Sequence, residues 1–118
     1  LPISEMFIKE VDSPQLVSKM EENDDLVIID VREMHEINRG TIQGAIPMPM
    51  ATIPVRLDEI PKDKEVVFIC RSGARSGQVC MFLGQHGYEN VINLSGGIIG
   101  WVRSGYQPVL PDQVSSTY

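Results

Sequence analysis

The run Val66-Val67-Phe68-Ile69 constrains the fold more than any other part of the chain. It is apolar at every position, so it lacks the alternation of a strand with one exposed face. Continuous apolar character is typical of a strand that is covered on both faces, as in the centre of a parallel sheet. We therefore expect this run to be a central strand of an α/β domain.

Other apolar runs alternate with stretches of helical period, which is the pattern of βα units around a parallel sheet. The apolar runs predict strands at Leu26–Ile29, Ala45–Met48, Val66–Ile69 and Val91–Leu94, with a weaker one at Phe7–Lys9. Helices are predicted from Ser13 to about Asn23, from about Glu33, from Ala51 to Glu59, from Arg75 to Gln85, and after Gly96-Gly97 to include Trp101. Ser13 is the expected N-cap of the first helix, with Pro14 in its first turn.

Length and charge narrow the class of protein. A chain of 118 residues is long enough for one domain, which we place at residues 1–105, followed by an extended Pro-containing tail at 106–118. Ten basic and sixteen acidic residues give a net charge of −6, which disfavours nucleic acid as a partner. No apolar stretch approaches a membrane span, and the first residues lack a signal-peptide pattern. We therefore expect a soluble cytoplasmic protein that does not bind a membrane.

The two cysteines do not suggest a metal or disulfide site. Cys70 and Cys80 form no CxxC motif, and His35 and His86 lie far from both in sequence. Cys80 falls inside a predicted helix, where we expect a buried structural thiol. A second role, resolving an oxidised or persulfidated Cys70, is disfavoured because a helical position hinders its direct approach.

The chemistry of the chain is expected in the loop after the central strand. Its sequence is Cys70-Arg71-Ser72-Gly73-Ala74-Arg75-Ser76. Ligands of open α/β sheets bind at the carboxyl ends of the strands, which is where Cys70 falls. A compact loop entering a helix favours anions, and its N–H groups and nearby cations lower a thiol pKa. Cys70 is therefore a candidate nucleophile, rather than only a small buried side chain at a strand end.

This loop resembles the active-site loop of the rhodanese family of sulfurtransferases. The resemblance extends to four further motifs in the family's order and spacing, and it covers nearly the whole chain up to Trp101. These motifs are Asp30-Val31-Arg32-Glu33, Gly40-Thr41-Ile42-Gln43-Gly44-Ala45, Gly87-Tyr88-Glu89-Asn90-Val91 and Gly96-Gly97-Ile98-Ile99-Gly100-Trp101. The resemblance implies a rhodanese-like α/β fold, with a five-stranded, mainly parallel sheet flanked by helices on both faces.

The resemblance also implies a ping-pong reaction in which the catalytic Cys70 carries sulfur as a persulfide. The expected donor is thiosulfate or another sulfane-sulfur compound, and the acceptor is cyanide in an assay, or a small thiol or sulfur-carrier protein. No cofactor is implied. The expected substrate-binding residues are Arg71, Ser72, Gly73, Ala74, Arg75 and Ser76. Asp30 is expected to fix the loop by hydrogen bonds or to pair with an arginine, and Arg32 to tie the strand end to a helix.

Two alternatives stay open at this point. Phosphatase or arsenate-reductase chemistry occurs in related folds whose loop has one more residue between Cys and Arg, whereas four residues separate Cys70 from Arg75. A noncatalytic rhodanese-like docking module is the other alternative, although such modules commonly lack the nucleophile.

One position departs from the family pattern, since Thr41 stands where many members have His. We interpret Thr41 as a tolerated substitution at the surface or at a strand edge.

Overall fold

The computed structural model describes residues 7–111, which form a five-stranded sheet in which every pairing is parallel. The strands are β1 (Lys9–Val11), β2 (Val27–Asp30), β3 (Ile46–Pro47), β4 (Val66–Ile69) and β5 (Val91–Leu94). Their order across the sheet is β1-β5-β4-β2-β3. All four residues of the middle strand, β4, are buried. The prediction that this run is central is confirmed.

Helices cover both faces of the sheet. They are α1 (Ser13–Glu22), α2 (Met34–Ile37), α3 (Ala74–Gln85) and α4 (Gly97–Arg103). On one face, Val79 and Leu83 of α3 pack with Phe68. On the other, Leu16 of α1 and Trp101 of α4 share a second core. No helix within residues 7–111 is long and apolar enough to cross a membrane.

Two predicted elements differ from the structure where the chain contains proline. The predicted helix Ala51–Glu59 is instead two short 3₁₀ helices, Met50–Val55 and Leu57–Glu59. Pro54 lies inside the first of them, and its missing N–H cannot complete an α-helical turn. The predicted strand Ala45–Met48 pairs only over Ile46–Pro47, at the edge of the sheet, where a residue without an N–H is tolerated.

The start of α1 also differs from the prediction. Asp12 is the N-cap, not Ser13. The Gln15 N–H donates to the Asp12 carboxylate at 2.9 Å, and the Asp12 N–H donates to the Gln15 side chain at 2.8 Å. This reciprocal capping box shifts the helix start by one residue, so that Ser13 and Pro14 occupy its first turn.

The segment after α4 returns to the loop that precedes β3. The Thr41 N–H donates to the Val109 carbonyl at 2.7 Å, and the Val109 N–H donates to the Thr41 carbonyl at 2.8 Å. The Trp101 indole N–H donates to the Gln107 carbonyl at 3.3 Å, and the Trp101 ring lies 4.7 Å from the Tyr106 ring. The remainder of the predicted tail, residues 112–118, lies outside the described residues.

Parallel register brings the strand ends of β2 and β4 together. Asp30 pairs with Ile69, and the Val31 N–H donates to the Ile69 carbonyl at 3.0 Å. Cys70 therefore leaves the sheet beside the segment that begins at Val31. This edge of the sheet carries the candidate site.

Candidate active site

The Cys70 sulfur lies inside a turn of hydrogen-bond donors. The side chain follows β4 directly and is 1% exposed. The Gly73 N–H donates to Sγ at 3.1 Å, and the Ser76 hydroxyl lies 3.3 Å from Sγ. The backbone N–H groups of Ser72 and Ser76 also hydrogen-bond the sulfur. Gly73 has a φ of +100° just before α3, a conformation that an L side chain rarely adopts.

These donors decide the ionisation of the thiol. Burial raises the pKa of Cys70 and is the largest single influence on it. Hydrogen bonds from the Ser76 hydroxyl and from the N–H groups of Ser76, Gly73 and Ser72 act in the opposite direction, and together they hold the Cys70 pKa below its ordinary value. Since the thiolate is the nucleophilic form, the turn favours attack by this sulfur at a lower pH than a free thiol allows.

The second cysteine has the opposite environment. Cys80 is 1% exposed, on the buried face of α3 that packs against the sheet, and both cysteines are free. Burial raises the Cys80 pKa to about 12, with smaller contributions from the charges of Glu10 and Cys70. A buried structural thiol is what the helical position predicted, and Cys80 remains protonated at the pH of most assays.

Asn93 on β5 is a residue of this site that the sequence analysis missed. Its side chain is 2% exposed. The amide nitrogen donates to the Gly73 carbonyl at 3.1 Å and to the Glu10 carboxylate at 2.9 Å, so Oδ1 faces the Ser76 hydroxyl at 2.5 Å. The single hydroxyl proton of Ser76 therefore has two acceptors, Asn93 Oδ1 and Cys70 Sγ. Asn93 also fixes the turn through the Gly73 carbonyl.

The guanidinium of Arg75 is bound by a carboxylate of α2. Arg75 donates to both oxygens of Glu36, at 2.7 and 2.8 Å. This hydrogen-bonded pair lowers the pKa of Glu36 to about 2, and it raises the pKa of Arg75. The negative charges of Cys70 and Asp30 also raise the Arg75 pKa, so its charge acts on the sulfur. Glu36 partly neutralises that charge, which the sequence analysis did not foresee.

Asp30 and Arg32 form a separate buried cluster next to the loop. Arg32 donates to both carboxylate oxygens of Asp30, with the closest contact at 2.8 Å, and to the Gly40 carbonyl at 2.6 Å. Of the two roles expected for Asp30, the structure shows the pairing with an arginine. Within residues 7–111, neither side chain hydrogen-bonds to the 70–76 turn. The pair holds β2 to the segment after α2.

Thr41 belongs to that cluster, and its interpretation as a surface substitution is wrong. The side chain is 3% exposed, and its hydroxyl donates to Asp30 Oδ2 at 2.8 Å. A hydroxyl is well suited to this place because it satisfies a carboxylate lone pair that burial has removed from water. The other part of the interpretation, a strand-edge position, agrees with the two backbone hydrogen bonds that join Thr41 to Val109.

The start of α4 holds the loop through backbone hydrogen bonds. The Ile98 N–H donates to the Cys70 carbonyl at 2.9 Å, and the Ile99 N–H donates to the Arg71 carbonyl at 3.0 Å. Gly97 makes this approach possible, because a Cβ there would lie 2.6 Å from the Cys70 carbonyl oxygen and its φ is +58°. The side chain of Arg71 is exposed, as are those of Ser72 and Ala74.

Comparison with known proteins identifies the family. The model of the rhodanese-like domain matches residues 13–104. The chain belongs to the rhodanese family. A sulfurtransferase of Allochromatium vinosum is 47% identical over 106 residues, which is 90% of this chain and 99% of that protein. A thiosulfate sulfurtransferase of Glaesserella parasuis is 34% identical over 92 residues, covering 78% of this chain and 85% of the relative.

Solved structures agree with the rhodanese assignment. A rhodanese-related protein of Thermoplasma volcanium superposes with a TM-score of 0.79 at 29% identity, covering 86% of this chain and 98% of that one. The predicted rhodanese-like fold is therefore confirmed, and the chain is a member of a family of rhodanese-type sulfurtransferases. Its site combines the loop that the sequence predicts with two residues from other elements, Glu36 and Asn93.

Proposed function

We propose that this rhodanese moves a sulfane sulfur from thiosulfate, or a similar anionic donor, to a thiophilic acceptor through a persulfide on Cys70. The observation that carries the proposal is the convergence of Ser72, Gly73 and Ser76 on the sulfur. Their hydrogen bonds hold the Cys70 pKa below its ordinary value and supply the nucleophilic thiolate. The reaction needs no cofactor.

In the first half-reaction the hydrogen-bond donors of the turn stabilise two negative charges in succession, first on the Cys70 thiolate and then on the persulfide. The Cys70 thiolate attacks the outer sulfur of thiosulfate, a new S–S bond forms, and the old S–S bond breaks with its electron pair leaving on sulfite. The product is a Cys70 persulfide. N–H groups that stabilise a negative charge on Sγ also stabilise the negative outer sulfur of the persulfide, provided that it occupies the same turn.

The remaining loop residues have roles of position and charge. Arg71 is exposed and without a side-chain partner among residues 7–111, so we assign it the attraction of an anionic donor. Arg75 contributes a charge that Glu36 partly neutralises, and the pair fixes the start of α3 against α2. Ala74 is the first residue of α3, and its side chain is exposed. Asp30 and Arg32 support the adjacent segment rather than the sulfur.

The alternatives are weaker for physical reasons. A turn that directs three backbone N–H groups at one sulfur fits a persulfide, whereas a tetrahedral phosphoryl group needs a wider ring of donors. A docking module has no use for a buried thiol with a lowered pKa.

In the second half-reaction the persulfide passes its sulfur to cyanide in an assay, and to a small thiol or a sulfur-carrier protein in a cell. We place that reaction in the cytoplasm.

Intact mass measured after incubation with thiosulfate tests the proposal. The wild-type chain is expected to gain the mass of one sulfur atom, which cyanide or a reductant removes. Cys70→Ser should gain nothing, while Cys80→Ala, the matched control for loss of a buried thiol, should gain the same mass as the wild type. Equal labelling of Cys70→Ser and the wild type would show that another residue carries the sulfur.

A further inference from the structure

A cavity of about 440 Å³ lies beside the catalytic loop, between the end of α2 and α4. Its wall is partly apolar, with Ile98 and Val102 of α4. Four of the six arginines in the chain also line it: Arg32, Arg39, Arg71 and Arg103. This concentration of cations stands out in a chain with a net charge of −6.

Three of these cations have no counter-ion in the part of the chain that the structure describes. Arg32 is neutralised by Asp30 at 2.8 Å. Within residues 7–111, no carboxylate pairs with Arg39, Arg71 or Arg103, and all three residues are exposed. The carboxylate of Glu36, which also lines the cavity, is already engaged by Arg75. The cavity therefore carries uncompensated positive charge, and a recess lined by one sign of charge concentrates ligands of the opposite sign.

We propose that this cavity binds the carboxylates of a small anionic thiol, which is the sulfur acceptor; the proposal rests on the sulfur transfer proposed above. Guanidinium groups bind carboxylates through paired hydrogen bonds, and the apolar wall accommodates the carbon chain between the carboxylates and the thiol. The volume suits a small molecule. Arg71 follows Cys70 directly, and Ile98, which also lines the cavity, donates its N–H to the Cys70 carbonyl at 2.9 Å, so the cavity adjoins the catalytic loop.

The transfer balances without a further reactant. The thiolate of the bound acceptor attacks the outer sulfur of the Cys70 persulfide and forms a new S–S bond. The bond between Sγ and the outer sulfur breaks, and its electron pair returns to Sγ. The outer sulfur leaves on the acceptor, which becomes a persulfide, and Cys70 is again a thiolate. No electrons are exchanged with any other group.

The test compares two thiols of similar size, mercaptosuccinate with two carboxylates and 1-thioglycerol with none. The chain is first loaded with sulfur from thiosulfate, and loading is verified by intact mass. Single-turnover rates are then measured for the wild type and for Arg39→Gln/Arg103→Gln. Arg56→Gln/Lys64→Gln is the matched control, because it removes the same charge outside the cavity.

The expected result is a loss that depends on the carboxylates. Transfer to mercaptosuccinate should fall about tenfold in the cavity variant, while transfer to 1-thioglycerol and both rates of the control change less than about twofold. Equal losses for both thiols, no loss, or the same loss in the control would overturn the proposal. A wild-type chain that never takes up sulfur would instead overturn the proposed function, and this proposal with it. The mass measurement distinguishes the two failures.

Discussion

The hydrogen-bond donors around Cys70 Sγ differ in whether a substitution can remove them. Three are backbone N–H groups, which any residue other than proline retains, and the fourth is the Ser76 hydroxyl. The hydroxyl alone has a competing acceptor, since Asn93 Oδ1 lies 2.5 Å away. The contribution of the hydroxyl to the ionisation of Cys70 therefore depends on whether its proton is directed at the sulfur rather than at the Asn93 oxygen.

Replacing Ser76 by Ala is expected to raise the pKa of the Cys70 thiol. The substitution removes the hydroxyl but keeps the N–H of residue 76, so the thiolate loses one charge-assisted hydrogen bond while its backbone donors remain. Ser72→Ala is the matched control, because Ser72 acts through its backbone N–H, which alanine retains. The rate of Cys70 alkylation against pH measures both values.

A Ser76→Ala profile identical to that of the wild type would contradict the role of the hydroxyl. The proton would then remain on the Asn93 side in both ionisation states, and the backbone N–H groups alone would stabilise the thiolate. A shift of similar size in Ser72→Ala would point to a general disturbance of the turn.

Single residues of the site were predictable only where they are contiguous in sequence. Cys70 and the residues that follow it form one motif, so the sequence identifies them together. Asn93 reaches the loop from β5, and its contact with Gly73 spans 20 positions. Glu36 meets Arg75 across 39 positions. Contacts of this kind depend on how the strands and helices pack, and a single sequence carries no local signal for them.

At the scale of elements, the loop depends on the first turn of α4. Two N–H groups of α4, from Ile98 and Ile99, hold the carbonyls of Cys70 and Arg71. The contact requires that residue 97 has no side chain, because a Cβ there would overlap the backbone carbonyls of Arg71 and Cys70. The same glycine adopts a φ of +58°, at which L residues are strained.

Replacing Gly97 by Ala is expected to destabilise the domain by about 3 kcal/mol, since backbone strain and steric overlap add. Gly84→Ala is the matched control, because Gly84 lies within α3 and a Cβ there meets no atom within 4 Å. That change should stabilise the domain by about 0.5–1 kcal/mol, as alanine favours a helix over glycine. Urea unfolding measures both. Changes of the same sign in the two variants would contradict the packing argument.

The strands and helices were predictable where one signal dominated. β4 and β5 match the apolar runs residue for residue, because their burial demands apolar side chains at almost every position. The predictions failed where two signals competed. Apolar periodicity favoured one helix across 51–59, but Pro54 prevents its hydrogen bonding. Ser13 followed by Pro14 suggested a cap, but Asp12 forms the capping box with Gln15.

At the scale of the whole molecule, ionisable groups with shifted pKa values link the stability of the fold to pH. The Glu36 pKa lies at about 2, below its unfolded value, so its contribution is present above the unfolded pKa and is lost as pH falls through about 2. The Cys70 pKa is also lowered, so its contribution is present above the unfolded thiol pKa and is lost as pH falls through its folded pKa. The folded pKa of Cys80, about 12, exceeds its unfolded pKa, so the effect of Cys80 on the pH dependence of stability has the opposite sign.

Cys80 is therefore expected to weaken the fold in alkali. Above the ordinary thiol pKa of about 8.5, the unfolded chain loses the Cys80 proton while the folded chain retains it, so stability falls by roughly 1.4 kcal/mol per pH unit towards pH 12. Cys80→Ala should lack this decline, even if lost packing lowers its stability at neutral pH. Urea unfolding from about pH 8 to about pH 10.5 measures the slopes. Cys70→Ala should decline with the same slope as the wild type above the unfolded thiol pKa, because the Cys70 contribution no longer changes with pH there. Parallel slopes for the wild type and Cys80→Ala would mean that Cys80 ionises equally in both states, which contradicts its burial between α3 and the sheet.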